Sequence, residues 1–318
     1  MLYFPMLVLF DVTLRTNLNH KGHIKDMKKF PILYVVFAGL SWGSAGLFVH
    51  FLAPDFSSLQ LAFVRSGVSA VVALVLALIT DPKSLKLTFR QLLPLALGGI
   101  AFFSMASFYY MAIANSSTST AAVILNMAPI FVMIFSTVFW GERFTLRKGL
   151  AVLAAVGGCA LVTGIVGGLV FAPVGILYGF LSCVSYATYS ISVRTAAKRG
   201  VKAVTANTYI FLVASIVAAF FANPVALVKS AASVPFYLVI ALIGFGFFTG
   251  ILPSFLYTKA MEKLPAGVVA SMSAIEPLTL AVTGIVFLHD VITVYSGIGM
   301  VLILGSVFVL SLENNENK

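Results

Sequence analysis

The chain has 318 residues, 60% of them apolar and only 9% Asp, Glu, Lys or Arg. A soluble domain carries roughly 25% charged residues, so this sequence lacks the charge to cover a water-facing surface. The net charge of +10 is spread over short strips between apolar runs, which argues against a nucleic-acid-binding face.

Residues 1–30 read as an N-terminal tail. Met1–Phe10 is apolar but too short to span, Asp11 and Arg15 interrupt it, and no small-residue cleavage site follows. Met27, followed by Lys28, Lys29 and the first long apolar run, is the expected physiological start. Beyond it, apolar stretches recur at about 32–52, 59–79, 92–114, 119–139, 147–167, 174–193, 203–222, 236–258, 266–288 and 292–312. Each matches the length that a helix rising 1.5 Å per residue needs to cross a roughly 30 Å hydrocarbon layer. Inside lipid every backbone polar group must be satisfied internally, which leaves helices or closed barrels. Barrel strands alternate in polarity, whereas these runs are continuously apolar. The fold class expected is therefore an all-α membrane protein of ten transmembrane helices. Turn residues punctuate it: Asp81–Pro82 after the second span, Ser116–Ser117–Thr118 before the fourth, and Asn223–Pro224 after the seventh.

The basic residues orient the spans. Counting from a cytoplasmic N-terminus, 18 of the 20 Lys and Arg fall in segments on that side, against Lys229 alone in the opposite loops, while Arg65 lies within a span. That bias predicts both termini in the cytoplasm of a multi-pass cell (plasma or inner) membrane protein. Cys159 and Cys183 lie deep in apolar runs and read as small helix residues; no disulfide framework, metal cluster or cofactor motif is indicated.

The chain also repeats itself. At a constant offset of 148, Tyr109–Gly157 maps onto Tyr257–Gly305 without a gap: Tyr109 on Tyr257, Ala112 on Ala260, Pro129 on Pro277, Thr145 on Thr293, and Glu142 on Asp290. Earlier in each half the match is fainter, with Ser41–Trp42 resembling Ser185–Tyr186. Five-helix repeats over 31–167 and 174–312, followed by a tail at 313–318, must enter the membrane from opposite sides because five is odd. Such inverted repeats suit a secondary transporter that exposes one central site alternately to each side.

With Ser41–Trp42–Gly43, Ala62–Phe63–Val64–Arg65, Pro129 with Gly141–Glu142–Arg143, and Glu276–Pro277 in place over ten spans, the chain resembles the EamA family of the drug/metabolite transporter superfamily across about residues 31–312. It departs from the family pattern after the ninth span, where His289–Asp290 replaces Gly–Glu. The resemblance implies a transporter, commonly an exporter of amino acids or metabolites, with a central cavity.

Glu276 is the most informative side chain, because a charge at mid-span costs about 2.5–3.5 kcal/mol on insertion scales. It is expected to contact a substrate amine, to carry a coupled proton, or to anchor the bundle; its repeat partner is Ala128. Arg65 could attract a carboxylate, pair with Glu276 or helix-end carbonyls, or snorkel outward. Trp42, Tyr109, Tyr110, Tyr186, Tyr189 and Tyr257 suit a cavity wall or ordinary packing. Asn126 and Ser273 are candidate polar wall positions, on the helices that Pro129 and Pro277 interrupt. Gly149, Gly157, Gly158, Gly297 and Gly305 read as close helix packing, within a half or in a homodimer. No phosphate-binding G-x-x-x-x-G-K-[ST] loop occurs, so movement of a small-molecule solute would be secondary or facilitated. An intramembrane lipid-modifying enzyme is the alternative, but clustered Asp, His or Cys at a membrane face is missing.

Overall fold

The computed structural model describes residues 30–116, 118–141, 145–162, 172–288 and 293–316. The N-terminal tail with Met27 lies outside them, as do Glu142, Arg143, His289 and Asp290. Among the described residues the regular structure is helical throughout. In chain order, α1 is Phe30–Gly43 continued by Ala45–Leu52, α2 is Ser58–Thr80 and α3 is Phe89–Asn115. Next come α4, in two pieces (Thr118–Leu125 and Ala128–Trp140), α5 (Leu146–Val162), α6 (Pro173–Lys198) and α7 (Ala203–Ala222). A short helix, Pro224–Ser233, leads to α8, which runs from Phe236 to Met261 through one π-helical turn at Gly246–Ile251. The chain ends with α9, again in two pieces (Ala266–Met272 and Ile275–Leu288), and α10 (Val294–Glu316). Seven helical stretches are long and apolar enough to cross a membrane: those of α1, α2, α3, α6, α7 and α8, and Val123–Trp140 within α4.

Local chemistry fixes where the helices begin and end. Ser57 and Gln60 form a capping box at the start of α2, with Ser57 N donating to Gln60 Oε1 at 2.9 Å and Gln60 N to Ser57 Oγ at 3.3 Å. Thr88 and Gln91 do the same for α3. Each box satisfies two of the N–H groups that a helix start leaves without partners. Gly141 ends α4 and Gly200 follows α6, both at positive φ (65° and 76°), where a side chain would be strained.

The helix packing is symmetric under exchange of the halves. If α1–α5 are paired with α6–α10 in order, the contacts α2·α7, α4·α9 and α5·α10 map onto themselves. The others exchange in pairs: α3·α6 with α8·α1, α3·α7 with α8·α2, and α4·α6 with α9·α1. Matching sequences thus give matching neighbours, and nearly every large interface joins one half to the other. Both helices break just ahead of the proline: the turn at Asn126–Met127 precedes Pro129 by two to three residues and that at Ser273–Ala274 precedes Pro277 by three to four. Pro129 and Pro277 then sit in the first turn of the following piece, where a missing N–H removes no bond.

The α5·α10 crossing depends on small residues, but not on all of those the sequence singles out. Gly158 faces Gly299: a Cβ on Gly158 would lie 2.7 Å from the Gly299 carbonyl oxygen, and one on Gly299 2.5 Å from that of Gly158. Gly157, Gly297 and Gly305 instead have open space around their Cβ positions. The spacing of glycines along a helix does not say which face meets the neighbour. Gly158→Val is expected to lower stability by about 1–3 kcal/mol through overpacking, read by thermal unfolding in detergent, while Gly157→Val changes it far less.

Candidate functional site

Arg65 of α2 and Glu276 of α9 stand within electrostatic reach of one another. Neither makes a direct ion pair among the described residues. Arg65 lies under the ring of Phe102 on α3, its guanidinium carbon 5.0 Å from the centroid. Its Nε is buried with no hydrogen-bond partner. Tyr110 and Tyr189 lie near the same guanidinium, and Tyr109, Cys159 and Tyr186 lie within electrostatic reach of Glu276. The carboxylate therefore looks toward α2, α3, α5 and α6. Both charged side chains, with Tyr109, Tyr110, Tyr186 and Asn126, are only half-buried although they belong to apolar helices.

An aromatic stack supports one side of this centre. Tyr257 of α8 is wholly buried; Trp42 of α1 lies 5.3 Å from it and Tyr189 of α6 stacks on it at 6.0 Å and 18°. Tyr189 in turn meets Phe102 edge-on at 5.4 Å, which closes the path back to Arg65. Trp42, Tyr189 and Tyr257 are thus packed, and their contribution is to hold Phe102 and Arg65 in position. Trp42 Nε1 is a second buried donor with no partner. An unmet buried donor costs about 1–3 kcal/mol, so the Nε of Arg65 is held at a cost to stability.

A chain of hydroxyls ties the break in α9 to this stack. Ser273, in the turn, donates to Ala270 O at 2.6 Å and lies 2.9 Å from the Tyr186 hydroxyl. Tyr186 reaches Tyr257 at 3.4 Å, and Tyr257 meets Ser190 Oγ at 2.8 Å. Ser190 is a member that the sequence did not single out; it lies four residues from Tyr186, on the same helix face. Sequence reasoning also passed over Gly39 and read Gly43 only as part of the family resemblance, although their four-residue spacing was a readable packing signal. They let α1 lie against the start of the second piece of α9: a Cβ on Gly43 would stand 2.6 Å from the Glu276 carbonyl oxygen. The π-helical turn of α8 was not legible either. It precedes Pro253, whose ring cannot follow a regular turn, and Ser69 of α2, one turn beyond Arg65, donates to Gly246 O at 3.1 Å.

Described so far is a helical membrane protein of two matched halves with a charged, aromatic-walled centre between them, which is the build of a multi-pass transporter. The chain belongs to the EamA-like transporter family, whose model matches residues 29–164 and again 173–312. It is similar to a protein of Archaeoglobus fulgidus described as an uncharacterized transporter, 26% identical over 282 residues that cover 86% of this chain and 94% of that one. A crystal structure shares the fold with a TM-score of 0.73 at 18% identity, covering 91% of this chain and 98% of its own.

Removing one link of the hydroxyl chain tests its part in holding α9. Tyr186→Phe, which removes the bonds to Ser273 and Tyr257, is expected to cost about 0.5–1.5 kcal/mol for each in detergent unfolding, and Ser273→Ala to cost less on top of it than alone, because the two share the Tyr186–Ser273 bond.

Proposed function

We propose that this membrane transporter is a secondary exporter of amino acids or closely related zwitterionic metabolites, working by alternating access between two inverted five-helix halves. In this reading the ten helical rods all cross the bilayer, with both termini in the cytoplasm and the protein in the cell membrane. The seven long apolar helices, the charge bias of the loops and the exchange symmetry of the packing support it. The observation that carries the substrate class is the unpaired Arg65–Glu276 couple. Two opposite charges kept within electrostatic reach but not in contact suit a molecule that bears both signs.

A bound carboxylate supplies the acceptor that Arg65 Nε lacks, while the ammonium sits against Glu276. Half-buried Tyr109, Tyr110 and Tyr186 line the room left for the side chain. Glu276 can hold either a proton or the amine charge, so the two uses exclude one another. A proton is then carried one way as solute moves the other, which couples export to a proton gradient without ATP.

Efflux from proteoliposomes loaded with single amino acids, with and without a pH gradient, tests the reading. Arg65→Ala is expected to reduce transport about 10- to 100-fold, the worth of one charge-assisted hydrogen bond at 1.5–3 kcal/mol. Glu276→Gln is expected to remove the dependence on the pH gradient as well. A Glu276→Gln protein with unchanged rate and unchanged pH profile would take the carboxylate out of the mechanism. No movement of any zwitterion by folded protein would overturn the substrate class.

A further inference from the structure

The two halves touch at both ends of the bundle, at places related by the repeat but built from opposite chemistry. At the Lys/Arg-rich end, the α2–α3 connection of the first half meets the α6–α7 connection of the second through a set of polar contacts. Lys202 pairs with Asp81. Ser84 Oγ lies 2.7 Å from Thr205 Oγ1, Tyr209 donates to Leu85 O at 2.7 Å, and Gln91 Nε2 donates to Arg199 O at 3.1 Å. Arg199 in turn donates to Arg90 O. The hydrogen bond and charge of Lys202 hold the Asp81 carboxyl below its usual range.

Exchange of the halves carries this site onto the α7–α8 connection against the α1–α2 connection. There the contact is an apolar cluster: Leu52, Phe56 and Leu61 from the first half with Leu227, Leu242 and Phe245 from the second. Phe48 adds a ring 6.0 Å from Phe245. Both contacts are made at once. Along α2, Arg65 lies four residues beyond Leu61 and sixteen before Asp81. At 1.5 Å per residue that is about 6 Å and about 24 Å, so a single apolar layer separates the centre from one face and a long packed interface separates it from the other.

We infer that these repeat-related contacts are the two gates of the transport cycle: a thin apolar gate on one face, and a polar latch, centred on Asp81–Lys202 and Ser84–Thr205, on the Lys/Arg-rich face. The inference rests on the alternating-access reading. The chemistry of each gate fits its task. An exposed ion pair and hydrogen bonds that water can replace are individually weak and screened by salt, so the latch opens without a large barrier and is sensitive to ionic strength. The apolar gate depends on buried area and is indifferent to charge.

The test places a reporter cysteine at Tyr110 in the reconstituted full-length protein and measures its labelling by a membrane-impermeant maleimide applied from each face. Asp81→Lys is expected to raise labelling from the Lys/Arg-rich face about two- to fivefold, the range of one exposed pair, and Asp81→Lys with Lys202→Asp to bring it back. Oxidation of a Ser84→Cys/Thr205→Cys pair is expected to cut labelling from that face at least about tenfold, with reductant restoring it. A crosslink that forms yet leaves labelling from that face unchanged would overturn the latch while leaving alternating access intact. Labelling from one face alone under every condition, reduced and uncrosslinked included, would overturn alternating access and the gates with it.

Discussion

The interior of a bilayer offers no water to a charge, and that constraint orders the rest of this structure. A charge at mid-span costs about 2.5–3.5 kcal/mol, yet Arg65 and Glu276, both on apolar helices, do not cancel one another by direct contact. The bundle accommodates them by surrounding them with half-buried tyrosines and one cation–π platform, Phe102. A purely structural pair would close to contact, since in a low-dielectric setting the attraction grows steeply as charges approach. Keeping the two apart costs stability, which is the feature the proposed zwitterionic substrate rests on.

The backbone arrangement near the pair is irregular at three points, and all three are close to it. The turn at Ser273–Ala274 comes just before Glu276, the π-helical turn of α8 lies beside Arg65 and Ser69, and Gly39 and Gly43 bring α1 against the restart of α9. Non-helical backbone in a membrane is tolerated only where protein or a polar cavity satisfies it. Here hydroxyls do much of that work: Ser69 on Gly246, and Ser273 on Ala270 and Tyr186. The symmetric partner break in α4 has Ala128 where α9 has Glu276, so a duplicated scaffold carries a charge on one side only.

The same division appears at the ends of the bundle. Related connections meet as polar groups on one face and as apolar groups on the other. Symmetry of the fold thus coexists with asymmetry of chemistry, because the backbone exchange needs only matching shapes while each face meets a different environment.

Much of this was legible in the sequence. Apolar length, loop charge and the 148-residue offset follow from one-dimensional periodicity, and so they revealed helices, halves and the isolation of Glu276 without any contact being known. The prolines gave away the breaks in α4 and α9 because the ring acts on its own backbone. What the sequence could not decide was which face of each helix meets which neighbour. That is why Gly158 and Gly299, not Gly297 and Gly305, make the α5·α10 crossing, and why Trp42, Tyr189 and Tyr257 turn out to be packed behind Arg65 while Tyr109 and Tyr110 are only partly buried. Ser190, Phe102 and the Asp81–Lys202 latch likewise join residues far apart in the chain, and only the folded bundle brings them together. Periodicity belongs to the chain; partnership of side chains is set by how the helices are rotated against each other, and only the tertiary structure fixes that rotation.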